Sequence, residues 1–90
     1  MTAFRAVIHG RVQMVMYRDF ATRAARALAV VGTVRNLGDG SVEVVAEGKR
    51  SALESYLLKL KHGSMFSRVE RVDVSWQSAS GAYNDFRILF

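Results

Sequence analysis

Arg18 stands where a cation is out of place. It falls in the first turn of a helix that begins near Tyr17, and the positive end of a helix dipole disfavours an arginine there, with Asp19 offsetting this only in part. The residues just before, Met14-Val15-Met16, include no Ser, Thr, Asp or Asn to cap the helix. The leading N–H groups of a helix need acceptors. A bound anion would meet both conditions, accepting the free N–H groups and pairing with the guanidinium. A solvent-capped helix with an exposed arginine is the alternative these residues leave open. Asn36 is the second residue of interest. It shares a strand face with Val34 and precedes Leu37-Gly38-Asp39-Gly40. Its amide then either reaches solvent at a strand end or serves simple turn chemistry.

The remaining chemistry-bearing residues form no constellation. His9 and His62 are far apart and lack metal-ligand spacing. Asp39, Glu43 and Glu47 read as turn and strand-surface residues, and Ser51 as a helix cap rather than a nucleophile. Met14, Met16 and Met65 read as apolar cover, and Tyr17 and Phe20 as core. With no cysteine there is neither a disulfide framework nor thiolate chemistry, which suits a reducing compartment.

The elements that must position Arg18 and Asn36 follow from periodicity. Phe4 to His9 favours a strand, and Gly10 to Met16 is a loop running straight into a helix. In that helix Tyr17, Phe20, Ala24 and Leu28 form an apolar stripe. Gly32 to Asn36 and Ser41 to Glu47 read as a hairpin around the Asp-Gly turn. Ser51 and Glu54 make a capping-box pattern. Leu53, Tyr56, Leu57 and Leu60 continue a second helix that stops near His62-Gly63. Val72, Val74 and Trp76 alternate, as do Phe86, Ile88 and Phe90, with a polar loop from Ser78 to Asn84 between them. Strand-helix-strand-strand-helix-strand plus a terminal strand is the ferredoxin-like α+β pattern. Both helices are expected on one face of an antiparallel sheet, and residues 1–90 are expected to form a single domain.

Thirteen Lys/Arg against eight Asp/Glu give a net charge of +5, which favours an anionic partner. The basic residues are scattered rather than striped, which argues against nucleic acid. An RNA-binding sheet would also carry exposed aromatics, and Ser41 to Glu47 has none. No apolar run is long enough to span a membrane, and the opening residues lack a signal-peptide layout, so the expected location is the cytoplasm.

Gly10-Arg11-Val12-Gln13-Met14-Val15-Met16-Tyr17-Arg18 resembles the acylphosphatase signature Gly-x-Val-Gln-Gly-Val-x-Phe/Tyr-Arg. Gly32-Thr33-Val34-Arg35-Asn36-Leu37-Gly38-Asp39-Gly40-Ser41-Val42-Glu43 resembles the second signature of the same family. Val69 to Trp76 and Phe86-Arg87-Ile88 look like its last strands, so the resemblance covers nearly the whole chain. It implies hydrolysis of acyl phosphates to a carboxylate and inorganic phosphate by a monomer without metal or cofactor. It also implies a phosphate cradle of backbone N–H groups at Val12, Gln13, Met14, Val15, Met16, Tyr17 and Arg18. The Arg18 guanidinium would grip the phosphate, and Asn36 would position the attacking water.

One position departs from the pattern. Met14 replaces the loop glycine, whose usual role is a positive φ or a close backbone approach. A methionine held in the left-handed region costs about 1–2 kcal/mol. Two readings follow. Either the loop keeps that conformation and is strained, or it adopts ordinary backbone geometry with Met14 covering apolar surface. A phosphate-binding domain with weak turnover is the corresponding alternative function, and an RNA-binding module a more distant one.

Overall fold

The computed structural model describes residues 1–90. The elements in chain order are β1 (Thr2–Arg11), α1 (Tyr17–Ala27), β2 (Val31–Asn36), β3 (Val42–Gly48), α2 (Arg50–His62), β4 (Arg68–Ser78) and β5 (Phe86–Leu89). The strands form one sheet in the order β4-β1-β3-β2-β5. β1 runs antiparallel to β3 and β4, β2 antiparallel to β3, and the short β5 joins parallel to β2. This is the ferredoxin-like arrangement expected from the element order, but the parallel β5 makes the sheet mixed rather than antiparallel throughout. Phe90 lies beyond β5 and is exposed, so the terminal alternation ends one residue earlier than the sequence implied.

Strand alternation sends Phe4, Ala6 and Ile8 of β1, Val42, Val44 and Ala46 of β3, and Val34 of β2 to the face beneath the helices. The face that α1 buries is turned from the predicted stripe. Tyr17, Ala21 and Ala25, spaced four apart, are fully buried, while Phe20, Ala24 and Leu28 pack along the core's edge. Small alanines let the helix axis approach the sheet, and the larger neighbours fill the flank. A tyrosine from each helix then donates to the backbone of the other. Tyr17 Oη lies 2.7 Å from the Leu60 carbonyl, and Tyr56 Oη 2.9 Å from that of Ala21. The pair fixes α1 against α2 beside the start of α1.

α2 starts two residues ahead of the capping box. Lys49 is the N-cap and no side chain caps the helix, so Ser51 is an exposed residue of the first turn rather than a cap. Arg50 is drawn into that turn by its guanidinium lying 3.7 Å over the Trp76 ring. The helix does end at Gly63, as predicted.

Glu43 and Glu47 are buried rather than surface residues. Both sit on the sheet face opposite the helices, where long neighbours cover them. Arg5 and Arg35 reach Glu43 from the flanking strands at 2.7 and 2.8 Å. Glu47 accepts from Ser80 N and Oγ at 2.8 and 2.7 Å and from Gly81 N at 3.0 Å, tying down the β4–β5 connection. No helix is long and apolar enough to cross a membrane.

Two glycines have steric reasons. Gly10 has φ 128°, at the point where the β1–β4 register shifts, and a Cβ there would meet the Arg68 carbonyl at 2.1 Å. Gly32 has φ 143°, and its Cβ would lie 1.8 Å from the Val45 carbonyl. These are the opening glycines of the two sequence motifs, and each lets a strand that carries or leads into candidate residues lie close against its neighbour.

Candidate functional site

β1 and β2 both run antiparallel to β3 and so point the same way; Ile8 and Asn36 both face Val42. The loop leaving β1 and the last residue of β2 therefore occupy the same end of the sheet. The Gln13 side chain joins them, with Nε2 donating to the Leu37 carbonyl at 2.8 Å and to the Ser41 carbonyl at 2.9 Å. One loop side chain thus holds both sides of the β2–β3 turn.

The loop itself offers donors. None of the backbone N–H groups from Val12 to Asp19 donates to a backbone carbonyl, and the first bond of α1 is Phe20 N to Met16 O at 3.1 Å. No side chain caps the helix. Val12 is buried and Val15 packs against the core, which anchors the loop from below. Met14 and Met16 both have φ 62°, in the left-handed region. The strained reading of position 14 is therefore the observed geometry, and a second strained residue, Met16, appears as the N-cap. Neither covers apolar surface. The Met14 side chain is fully exposed at 100 % and Met16 is 70 % exposed, which overturns the expectation of apolar cover; Met65 is exposed too. The loop backbone passes over the core with Val12 and Val15 inward, so the alternate positions 14 and 16 point out.

Arg18 has no carboxylate partner, a state it shares with Arg11, Arg68 and Arg87, whereas Arg5, Arg23, Arg26, Arg35, Arg50 and Arg71 are all paired. Its guanidinium instead lies 5.2 Å from the centroid of the exposed Phe90 ring. Arg18 lines a hollow of about 400 Å³ together with Val12, Met14, Met16, Tyr17, Asp19 and Ile88. Asn36 lies outside that lining, at the same sheet end, and its side-chain oxygen Oδ1 is buried with no hydrogen-bond partner. An unmade buried hydrogen bond costs about 1–3 kcal/mol, which makes this oxygen conspicuous. Turn chemistry at the hairpin is performed by Asp39, which accepts from Ser41 N at 3.0 Å and from the Ser41 hydroxyl, and not by Asn36. Those bonds hold the Asp39 carboxyl below the usual carboxylate range.

His9 lies at the same end of the sheet but on its open face, opposite the helices, 3.1 Å from Asp73 and 3.3 Å from Arg71. His62 closes α2. Three contributions were not legible from the residues alone: the Gln13 side chain, the Phe90 ring over Arg18, and the Tyr17 hydroxyl that fixes the helix start. The only signal for Gln13 was a lone amide in a loop otherwise apolar from Val12 to Tyr17.

The acylphosphatase family model matches residues 4–88. The acylphosphatase of Salinibacter ruber is 49 % identical over 83 residues, covering 92 % of this chain and 87 % of that one. That of Thermus thermophilus is 50 % identical over 76 residues, covering 84 % and 86 %. The crystal structure of the Bacillus subtilis acylphosphatase superposes with a TM-score of 0.96 at 36 % identity, covering 100 % of both chains.

Proposed function

The chain belongs to the acylphosphatase family, enzymes that hydrolyse the carboxyl–phosphate bond, and from that premise we propose that Arg18, Asn36 and the Val12–Arg18 loop carry the reaction. The observation that supports this assignment is an unpaired arginine in the first turn of a helix whose leading N–H groups have no backbone acceptor. The phosphate takes its place on those N–H groups and the Arg18 guanidinium, which forms paired, charge-assisted contacts with two oxygens. The Asn36 side chain holds a water in line with the P–O bond to the acyl group. The water oxygen bonds to phosphorus, the bridging bond breaks, and its electron pair leaves on the carboxylate. One water proton remains on the new phosphate oxygen and the other passes to a second oxygen of the same phosphate, so acyl phosphate and water become carboxylate and inorganic phosphate. A carboxylate departs with little assistance, so the protein's part is positioning and charge stabilisation.

The reading takes residues 1–90 as one acylphosphatase-like domain, acting as a monomer on small acyl phosphates in the cytoplasm, without nucleic acid or membrane. Benzoyl phosphate hydrolysis by purified protein tests it. Arg18→Ala is expected to remove phosphate inhibition and nearly all turnover, and Arg18→Lys to restore only part, because an ammonium lacks the planar fork. Asn36→Ala is expected to lower kcat strongly while inhibition by inorganic phosphate changes little, the pattern of an interaction made chiefly in the transition state. Near-normal turnover in Arg18→Ala would remove the arginine from the mechanism.

A further inference from the structure

Met14 and Met16 combine two unfavourable features. Each holds a left-handed backbone conformation, and each leaves a large apolar side chain in water. Neither is offset by packing within the chain, since neither belongs to the core nor packs against it. Both residues line the hollow that contains Arg18, together with the apolar Val12, Tyr17 and Ile88. The exposed Phe90 ring lies beside the same guanidinium. The hollow is therefore an open, largely apolar recess around one unpaired cation, and its one acidic residue, Asp19, is paired with Arg23.

In an acyl phosphate only one bridging oxygen separates the phosphorus from the acyl carbonyl. With the phosphate on Arg18, the acyl group must lie within the reach of whatever lines the surroundings of that guanidinium. We propose that the hollow is an acyl-group subsite, walled by Met14, Met16 and Ile88, that selects apolar and aromatic acyl phosphates over short ones. This rests on the assignment of Arg18 to the phosphate. The two methionines are suited to the task because their flexible, polarisable thioethers adapt to acyl groups of different shape and make favourable contacts with aromatic rings. Burying their exposed surface against the acyl group releases the water that the free protein leaves in contact with them.

The test compares kcat/KM for benzoyl phosphate with kcat/KM for acetyl phosphate in each variant, so that changes in the phosphate site common to both substrates cancel. In a Met14→Gln, Met16→Gln double variant, which keeps side-chain length but removes the apolar surface, the benzoyl-to-acetyl ratio is expected to fall about five- to tenfold, the scale of small apolar differences in an open pocket. A Met14→Leu, Met16→Leu variant is expected to hold the ratio within about twofold, since it conserves volume and apolarity. An unchanged ratio in the glutamine pair overturns the subsite, as does an equal fall in both pairs. Arg18→Ala in the same assay separates the two proposals. If it abolishes both substrates while the ratio is insensitive to the methionines, the phosphate assignment stands and the acyl subsite fails. If it leaves both substrates turning over, the phosphate assignment fails whatever the ratio does.

Discussion

At position 14 the chain places a methionine in a conformation that glycine adopts freely, with φ 62°. The conformation is built into the folded chain, so its penalty falls on folding rather than on the binding step. That distinction removes the reason for expecting weak turnover from Met14. It also predicts the sign of a stability effect. Met14→Gly relieves about 1–2 kcal/mol of left-handed strain and adds about 0.5–1 kcal/mol of unfolded-state entropy. The net expectation is a stabilisation between about zero and about 1.5 kcal/mol, up to roughly 8 °C in Tm for a domain of this size. Thermal unfolding of the two proteins checks it, and a clear fall in Tm would show that position 14 is not strained. The same substitution strips an apolar wall from the hollow, so a more stable protein is expected to discriminate less well between acyl groups, a trade commonly seen at strained sites.

Among the elements, the strands and both helices were legible because their apolar residues repeat with the right periods, and the end of α2 because Gly63 follows His62. Their sidedness was less so. The stripe Tyr17-Phe20-Ala24-Leu28 is the more hydrophobic row of α1, yet the row Tyr17-Ala21-Ala25 faces the sheet, because close approach favours small residues that hydropathy ranks low. Glu43 and Glu47 read as surface because nothing local reveals Arg5, Arg35 or Ser80 above them; each partner comes from a different strand or loop. At the candidate site, Arg18 stood out from its place in the first turn of an uncapped helix, whereas Asn36 read equally as a turn residue and drew its role from the family resemblance. The link between their elements did not, because it runs from Gln13 to carbonyls 24 and 28 residues away. That link carries its own prediction. Gln13→Leu removes both donors and leaves the Leu37 carbonyl without its side-chain partner, with an expected loss of about 1–3 kcal/mol of stability. It also frees the loop after β1, the proposed cradle, from the hairpin turn that follows Asn36. A kcat about ten- to a hundredfold lower is therefore expected, since small misplacements of positioning groups are costly. Gln13→Glu would not rescue, because a carboxylate offers no donor to a carbonyl. If Gln13→Leu lost stability but kept full kcat, the side chain would be structural only, with no part in placing Asn36.

For the whole molecule, the ionisable groups that shape stability are three carboxylates and two buried tyrosines, and their signs define a pH window. Burial pushes the Glu43 carboxyl up, but the hydrogen bonds and charges of Arg35 and Arg5 outweigh it and hold the group below its ordinary value. Burial likewise pushes Glu47 up, and the donors of Ser80 and Gly81 outweigh it. Asp85 is lowered, chiefly by the Phe86 N–H, with burial opposing and Arg26 assisting. A carboxylate lowered in the folded state stabilises the fold above its unfolded pKa of about 4 and loses that contribution as pH falls through the folded value. At the other limit, burial raises the Tyr17 and Tyr56 hydroxyls, which donate between the helices. The folded state resists their ionisation, so stability is retained below an unfolded pKa of about 10 and lost as pH rises beyond it. Tm is therefore expected to be nearly flat from about pH 5 to about pH 9 and to fall on both sides. Glu47→Gln identifies one contributor to the acid limb. It cannot ionise, so its Tm is expected to be lower than that of the parent at pH 7, with the difference narrowing below about pH 4 as the parent's carboxylate protonates. Thermal unfolding from pH 3 to pH 7 measures that difference directly. Two curves that stay parallel throughout would mean that the Glu47 charge, and with it the tether on the β4–β5 connection, contributes nothing to the acid limit.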